Sequence, residues 1–299
     1  MDRWARWLLE RRFGGDPEQL ARTLEHVGPV RDRVIASARI EPGDVVLDVG
    51  AGDGLIGFAA LERVGDTGRV IFSDVSDDLL EVCRKLAEGD TRAEFVHAAA
   101  DDLAPIAHDS VDVVTTRSVL IYVKDKERAF AEFFRVLRPG GRLSIFEPIN
   151  SWYRDTRPPA EFWGFDGSAI AHLVEKVIAA FEAEQPPAES PMLDFDERDL
   201  VRLARAAGFE QFRLEYEASV ELKAPMGGPA SWSAFWGFAG NPNMPTVGEA
   251  VEQVLTPEEA RRFEEHLRPL VERGEGITRS AVAYLSATNP GRRAAWPTG

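Results

Sequence analysis

The chain has 299 residues, of which 44% are hydrophobic and 28% charged, the composition of an ordinary globular protein. Its net charge of −15 argues against DNA or RNA as a partner, because binding a polyanion needs a basic surface. The single cysteine, Cys83, rules out an intramolecular disulfide and a cysteine-based zinc cluster.

The sequence also bears on location. No apolar run reaches the length of a membrane span. The N-terminal MDRWARWLLERRFGGD lacks the sustained apolar stretch and cleavage site of a signal peptide. We therefore expect a cytoplasmic protein, and the excess of Arg over Lys is a weak indication of a GC-rich bacterial genome. The sequence does not determine the oligomeric state, so a homodimer is one alternative.

Helices are predicted before the first strand. The aromatic and aliphatic residues of positions 1–15 suffice for a short helix, and Asp16-Pro17-Glu18-Gln19 supplies an N-cap, a proline at N1 and a glutamine at N3. A second helix should follow over about 17–38. This N-terminal helical cap, residues 1–39, is mildly basic while the whole chain is acidic, and we expect it to act as a mobile lid.

A glycine-rich loop follows the first predicted strand in VVLDVGAGDGLIG, residues 45–57. The apolar run before Asp48 suits a strand buried on both faces, and LIGFAALERV has a helical pattern. Strand, glycine turn and helix form the first half of a βαβ unit. Gly50, Gly52 and Gly54 would let a ligand approach main-chain N–H groups.

The next predicted strand, residues 69–74, ends in Asp74, where an acid can accept both hydroxyls of a ribose. A P-loop is excluded because no Lys-Ser/Thr follows the glycines. The dinucleotide fingerprint would need glycine where Leu55 stands, which disfavours a nicotinamide-dependent oxidoreductase. The plain alternative is a glycine turn and a surface Asp without a ligand.

Three segments resemble class I S-adenosylmethionine (SAM) dependent methyltransferases: VLDVGAGDG, VGDTGRVIFSDVSDDLLEV and VDVVTTRSVLIYVKDKERAFAEFFRVLRPGGRLSIFEP. The Leu-Arg-Pro-Gly-Gly turn, 137–141, is the most specific part after the first segment. The core, roughly residues 40–150, is similar to ubiquinone/menaquinone-biosynthesis C-methyltransferases and related small-molecule enzymes. The resemblance implies SAM as cofactor and a small-molecule acceptor.

The resemblance also implies the residues that bind SAM. The set around the methionyl part and the ribose is Asp48, Gly50, Gly52, Asp53, Gly54 and Asp74. Val75 would lie beside the adenine. Asp101 or Asp102 would take the place of a polar residue that the family usually has where Ala99 stands, and Ala100 would still offer its backbone N–H. Thr116 and Arg117 would face the methionyl ammonium through main-chain carbonyls. The Arg117 side chain is directed to either the SAM carboxylate or the acceptor.

The rest of the chain predicts two insertions and further core elements. The first insertion, 151–195, is aromatic and then helical; Asp196 opens a helix that Gly208 ends. Residues 212–222 alternate strictly, which predicts a strand near the sheet edge with Phe212, Leu214 and the following alternate residues buried on one side. The second insertion carries a helix opened by a capping box at Thr256, and 279–287 form the last strand.

The predicted architecture is therefore a doubly wound, Rossmann-like α/β fold. By resemblance, its sheet has seven strands with the last antiparallel. We divide the chain by sequence into seven segments: 1–39, helical cap; 40–150, SAM-binding core; 151–195, lid insertion; 196–223, core helix and strand; 224–275, second insertion; 276–288, final strand; 289–299, tail.

The expected chemistry is transfer of a methyl group to oxygen, nitrogen or carbon by in-line displacement in a closed aromatic pocket. No metal is expected. Where the acceptor must lose a proton, the candidate groups are Tyr122, Glu147 and His172, and for Glu147 a capping role is equally open. Two alternatives stay open: a SAM-binding enzyme with other chemistry, and a SAM-sensing module.

Overall fold

The computed structural model describes residues 1–12, 14, 16–222 and 230–290, apart from the side chains of residues 17–24 and 26. These residues form two compact units. The sheet unit comprises 29–149, 195–217 and the chain from 282 onward, and the helical unit comprises 1–28, 150–194 and 218–281. Most of the predicted tail, from 291 onward, lies outside the described residues.

The strands and helices alternate through the first half of the chain. The strands are β1 (Val45–Val49), β2 (Arg69–Asp74), β3 (Ala93–His97), β4 (Val111–Arg117), β5 (Leu137–Pro148), β6 (Glu161–Phe162), β7 (Phe165–Asp166), β8 (Glu210–Glu221) and β9 (Thr278–Thr288). The α-helices are α1 (Arg3–Arg6), α2 (Pro17–Ala38), α3 (Leu55–Leu61), α4 (Asp77–Leu86), α5 (Lys126–Val136), α6 (Asn150–Thr156), α7 (Ala171–Glu184), α8 (Glu197–Ala207), α9 (Trp232–Trp236), α10 (Val247–Val254) and α11 (Pro257–Arg273).

Seven strands form one sheet in the order β3-β2-β1-β4-β5-β9-β8. Strands β1 to β5 pair with one another in parallel, and β9 runs antiparallel to β5. The predicted doubly wound sheet with an antiparallel last strand is confirmed. Because the parallel strands share a direction, the carboxyl ends of β1, β2 and β4 meet at one edge, and that edge carries the candidate site.

The centre of the sheet unit is apolar on both faces of the sheet. All five residues of β1 are buried, as the run of valines and leucine predicts. In β2, the ring of Phe72 packs between those of Phe58 and Phe95, with centroids 5.1 and 5.3 Å away. A Cβ on Gly57 would lie 2.2 Å from the Phe72 ring, so this glycine lets α3 pack closely on β2.

The helical unit has an aromatic core of its own. Buried Phe162, Phe165, Phe235 and Phe263 lie at its centre, and Trp163, Trp232 and Trp236 pack against it. The N-terminal segment belongs to this unit. A single π-helical turn, Trp7–Arg11, follows α1, and the Trp7 indole donates a hydrogen bond to the Ala239 carbonyl at 2.9 Å. These tryptophans thus stabilise the helical unit itself.

Local sequence signals located most boundaries correctly. Helix α2 spans the predicted 17–38, and the helix predicted after Asp196 is α8, with Asp196 as N-cap and Gly208 as C-cap at φ 107°. The capping box at Thr256 also forms. The Leu-Arg-Pro-Gly-Gly segment differs from the prediction, because it is the irregular first part of β5, where the pairing with β4 shifts register.

One prediction of burial is wrong. β8 is the edge strand that its alternation indicated, and Phe212 and Leu214 are half-buried. Farther along, however, Tyr216, Val220 and Leu222 are 37%, 53% and 92% exposed. An edge strand has a neighbour on one side only, so alternation alone does not guarantee that its apolar face is covered.

Candidate SAM-binding site

The glycine loop joins β1 to α3 through three left-handed residues. Gly50, Gly52 and Gly54 have φ values of 67°, 58° and 86°, a region that costs L-residues with a Cβ energy. A Cβ on Gly50 would also lie 2.4 Å from a methyl carbon of Val119, and one on Gly54 would lie 2.4 Å from the Phe58 ring. Alternate glycines are therefore required by the path of this loop. Asp53, between two of them, is half-buried.

Asp74 ties the end of β2 to this loop. One carboxylate oxygen accepts the Gly52 N–H at 2.9 Å, and the other accepts the Ser76 N–H at 2.9 Å. The residue is 7% exposed. Val75, the next residue, is an apolar side chain that is 40% exposed beside this carboxylate.

Asp48 is a buried carboxylate inside β1. Its Oδ1 accepts the Thr115 hydroxyl from β4 at 2.9 Å, whereas its Oδ2 is buried and makes no hydrogen bond of ordinary geometry among the described residues. Burial raises the pKa of Asp48 to about 7, against the opposing effects of the Thr115 hydrogen bond, a weaker contact from the Gly57 N–H and the Arg117 charge. A buried acceptor atom without a donor is costly and suggests a ligand group.

The loop after β3 is fixed against the same edge. The Ala98 N–H donates to the Asp74 carbonyl at 3.1 Å, and Asp102 donates back to the Ala99 carbonyl at 3.0 Å. Ala100 is buried and Asp101 is half-buried within this turn. The residues predicted to take the adenine therefore lie on a loop held by the end of β2.

The end of β4 holds Thr116 and Arg117. Thr116 is fully buried and its hydroxyl lies 3.5 Å from a Glu147 carboxylate oxygen. Arg117 is half-buried. The chain then turns through Ser118, whose φ of 57° is unusual for a residue with a Cβ. Its N–H donates to the Phe146 carbonyl of β5 at 2.9 Å, so the turn is held to the sheet.

Glu147 caps the turn that follows. Its fully buried carboxylate accepts the N–H groups of Val119 and Leu120 at 2.9 Å each, and that of Ile121 at 3.3 Å. Burial raises the pKa of Glu147 to about 7, although these three hydrogen bonds and the Lys126 charge oppose the rise. This geometry favours the capping role, one of the two that the sequence left open.

The other two predicted catalytic residues have different surroundings. Tyr122 ends the 3₁₀ turn Leu120–Tyr122 and is half-buried in the sheet unit. His172 belongs to the helical unit, where it is exposed near the start of α7. The structure thus brings Tyr122 and Glu147 together around one turn. His172 lies in the other unit.

Comparisons with known proteins agree with this geometry. A family described as "Methyltransferase domain" matches residues 47–145. The ubiquinone/menaquinone biosynthesis C-methyltransferase of Hydrogenovibrio crunogenus is 32% identical over 176 residues, 58% of this chain and 68% of that protein. The demethylmenaquinone methyltransferase of Clavibacter sepedonicus is 37% identical over 182 residues, 59% of this chain and 71% of that protein.

The chain belongs to the class I SAM-dependent methyltransferase family. A solved geranyl diphosphate methyltransferase shares the fold, with a TM-score of 0.50 and 18% identity over 93% of this chain and 94% of that one. The matched family segment begins inside β1 and ends inside β5, so it comprises the glycine loop and the ends of β2 and β4.

The residues present fit SAM on structural grounds. The glycine loop brings main-chain atoms to the sheet edge, Asp74 offers a carboxylate there, and Asp48 has a buried oxygen without a donor. Within the described residues, no group of three or more His, Cys, Asp or Glu side chains is placed to hold a metal ion. None of the described helices is both long and apolar enough to cross a lipid bilayer.

Sequence reasoning missed two polar residues of this edge. Thr115 bonds to Asp48, and Ser76 accepts the Leu79 N–H to cap α4 beside Asp74. The hydroxyl that follows the apolar residues of VDVVTT, residues 111–116, was a signal for Thr115. Its partner could be identified only from the register between β1 and β4, which pairs Thr115 with Asp48.

Proposed function

We propose that this methyltransferase binds SAM at the carboxyl edge of its sheet and transfers the methyl group to a small-molecule acceptor. The observation that carries the proposal is the juxtaposition of Asp48, the glycine loop and Asp74 at the ends of two neighbouring strands. Asp74 binds the ribose hydroxyls, Val75 contacts the adenine, and the loop 98–101 covers the adenine edge. Asp48 and the loop 50–54 hold the methionyl part.

SAM supplies an already activated methyl group, since transfer from a sulfonium to a nucleophile is a displacement that disperses the positive charge. The protein therefore contributes mainly alignment and exclusion of water. In this chain, the loop glycines and the Asp74 hydrogen bonds provide alignment, because they fix the backbone against which the methionyl part lies.

Whether a general base takes part in methyl transfer depends on whether the acceptor must lose a proton. Tyr122 is our candidate for contact with the acceptor, since it lies on the turn after β4. Glu147 acts on that turn by capping it, and His172 is kept as a weaker candidate because it lies in the helical unit. The two curated relatives carry names of quinone biosynthesis, and one is called a C-methyltransferase, which supports carbon as one acceptor class beside oxygen and nitrogen.

A small acceptor fits the charge of the chain. The net charge of −15 disfavours a nucleic acid, because phosphate contacts need a basic surface. The lid function of the N-terminal segment and the two insertions remains part of the proposal. It is supported by the position of these segments in the chain, before β1 and after β5, outside the segment matched by the methyltransferase family.

Methyl transfer is tested by incubating the protein with methyl-deuterated SAM and a metabolite extract, then searching by mass spectrometry for products that carry the label. We expect one or a few labelled small molecules that are absent when the protein is omitted and that form more slowly with Asp74→Ala protein at low SAM concentration. SAM binding without any labelled product would instead favour the alternatives, a SAM-dependent enzyme with other chemistry or a SAM-sensing module. Binding of a nicotinamide dinucleotide in place of SAM would contradict the proposal altogether.

A further inference from the structure

Glu161 is a buried acid of the helical unit that holds two arginines. Its side chain is only 6% exposed, and its carboxylate oxygens accept the Arg279 Nε–H at 3.2 and 3.0 Å. Its main-chain carbonyl accepts an Nη1–H of Arg157 at 2.6 Å. Arg157 follows α6 and Arg279 lies in β9. One residue therefore fixes two guanidinium groups that come from distant parts of the chain.

Both guanidinium groups have donors to spare. Among the residues that the structure describes, Arg279 bonds only through Nε and Arg157 only through Nη1. The Arg279 side chain is 11% exposed, so its other N–H donors are largely withdrawn from water. Arg135 of the sheet unit differs, because each of its side-chain nitrogens donates to a protein acceptor. Donors withdrawn from water without an acceptor cost free energy, which a ligand oxygen would recover.

Tyr153 supplies a further donor beside the two arginines. It lies one helical turn before Arg157, whose N–H donates to the Tyr153 carbonyl at 3.0 Å. The phenol makes no hydrogen bond with any residue in the described part of the chain. Burial raises the pKa of Tyr153 to about 12; the Glu161 charge adds to the rise, and the charges of Arg157 and Arg279 oppose it. The phenol therefore stays protonated and can donate.

The charge of this cluster suits a monoanion. It contains two guanidinium groups, Arg157 and Arg279, and one carboxylate, Glu161, which leaves one positive charge in excess. A ligand carboxylate would balance that excess, whereas a phosphate dianion would leave a surplus negative charge beside buried Glu161. A planar carboxylate also matches the donor geometry of a guanidinium.

We propose that Tyr153, Arg157 and Arg279 bind the carboxylate of the methyl acceptor, so that the acceptor is a small carboxylic acid methylated at another atom. The inference deepens the proposed function and rests on it. Both segments of the cluster connect in the chain to the carboxyl end of β5, since α6 begins two residues after Pro148 and Arg279 comes three residues before Val282, the register partner of Pro148. A purely structural ion pair would need neither the phenol nor a second guanidinium.

Chemical treatment of the metabolite extract tests the class of acceptor. One portion is treated with carbodiimide and ammonia, which converts carboxylic acids into neutral amides, and a second portion is treated with phosphatase. Each portion and a mock-treated one are then incubated with wild-type protein and methyl-deuterated SAM. We expect the labelled products to be lost from the amidated portion and kept in the other two. The label should resist mild alkali, because the bound carboxylate is not the atom that is methylated.

Variants of the cluster test the residues. Their labelling rate is measured against dilution of the untreated extract, after thermal unfolding has shown that each is folded. Arg157→Gln should raise the extract concentration for half-maximal rate roughly ten- to a hundred-fold, and Tyr153→Phe about three- to ten-fold. Arg157→Lys should recover part of the loss, because it keeps the charge. SAM affinity, measured by calorimetry, should be unchanged in all three.

Arg154→Gln is the matched control. Arg154 lies on the same helix as Tyr153, is 45% exposed and pairs with Asp155 at 2.7 Å. Because its ion pair faces solvent, its replacement should leave both the labelling rate and the SAM affinity at the wild-type values.

The outcomes separate this inference from the proposed function. Wild-type protein that binds no SAM, or that labels nothing, would contradict the proposed function and the carboxylate site together. Equal labelling of amidated and mock-treated extract, or an alkali-labile methyl ester as product, would overturn the carboxylate site while methyl transfer stands. Loss of product after phosphatase treatment alone would assign a phosphate ester instead. Folded Arg157→Gln and Tyr153→Phe proteins with the wild-type dependence on extract concentration would likewise overturn it.

Discussion

Asp74 joins two parts of the candidate site through one side chain. Its two oxygens bond to the main-chain N–H groups of Gly52 and Ser76, so it shapes the glycine loop. In the proposed site it also offers its charge to the ribose of SAM. Its loss should therefore have two effects, a weaker hydroxyl contact and a less ordered loop.

We expect Asp74→Ala to weaken SAM binding by roughly 1–3 kcal/mol, the cost of losing hydrogen bonds to a charged acceptor. Asp74→Asn should lose less, because its amide oxygen can keep one of the two loop bonds. Asp66→Asn is the control and should leave SAM affinity unchanged. This exposed acid precedes the start of β2, whereas Asp74 lies at the end of β2. Calorimetry that shows wild-type affinity in a folded Asp74→Ala protein would remove Asp74 from the site.

Asp48 should make the stability of the protein depend on pH. Burial raises the pKa of Asp48 from its ordinary value of 3.8 to about 7. A raised carboxyl pKa means that the folded state favours the protonated form. The contribution is therefore fully present below the unfolded pKa, near 4, and is lost as pH rises through the folded pKa.

Asp48→Asn should accordingly gain free energy of unfolding relative to wild type as pH rises from 5 to 8, by about 1–3 kcal/mol. Urea denaturation of both proteins across this pH range measures the difference between their free energies of unfolding. The other carboxylates contribute equally to both proteins, so their effect cancels in that difference. A difference that does not change with pH would show that Asp48 is not protonated in the folded protein. Saturating SAM should reduce the gain, because its ammonium would stabilise the charged carboxylate.

At the scale of the elements, the strand–loop–helix unit β1–α3 could be predicted almost completely. A buried strand pattern, alternate glycines and an amphipathic run are local signals, and so are the caps of α8 and α11. The Asp48–Thr115 bond and the Glu147 cap were not predictable in the same way, because each joins residues far apart in sequence through sheet register. Exposure along β8 likewise depends on neighbours that alternation does not reveal.

Substitution of Gly50 tests the structure of the glycine loop. Gly50→Ala adds a Cβ at a left-handed position and 2.4 Å from a Val119 methyl carbon. Gly89→Ala is a matched control, since Gly89 has a φ of 83° and no atom within 4 Å of the added Cβ. Backbone strain should lower the free energy of unfolding of both variants by about 1–2 kcal/mol. Overpacking should lower that of Gly50→Ala by about 1–3 kcal/mol more.

Chemical denaturation and SAM titration of the two alanine variants measure these effects. SAM affinity should fall in Gly50→Ala and remain normal in Gly89→Ala. Equal destabilisation of the two variants would mean that the space beside Val119 is not limiting. Normal SAM affinity in Gly50→Ala would contradict the assignment of this loop to the methionyl part.

At the scale of the whole molecule, two compact units divide the chain differently from the predicted segments. The sequence separated an N-terminal cap from two insertions, whereas the structure groups residues 1–28 with 150–194 and 218–281. Sequence patterns identified the individual helices but not their association, because the contacts join segments more than 200 residues apart, such as Trp7 with Ala239. The Arg11 ion pair with Glu249 joins the same segments.

These N-terminal contacts should stabilise the helical unit without supporting SAM binding. Trp7→Phe keeps an aromatic ring but removes the indole hydrogen bond and part of the ring volume, so we expect a loss of about 1–3 kcal/mol. Arg11→Gln, whose ion pair is more exposed, should cost less. Differential scanning calorimetry measures stability, and titration with S-adenosylhomocysteine should show unchanged affinity in both. A loss of affinity larger than tenfold in folded Trp7→Phe would mean that this segment takes part in holding the cofactor.

Hydrogen exchange with and without S-adenosylhomocysteine tests the central claim most directly, because it reports where the ligand binds. We predict slower exchange in peptides covering 48–56, 73–77, 98–102 and 116–120, the segments at the carboxyl ends of the parallel strands. Peptides at the opposite ends of those strands, such as 41–45 and 65–69, should be unchanged. No slowing in the first set, or equal slowing on addition of NADH, would contradict a SAM site at this edge.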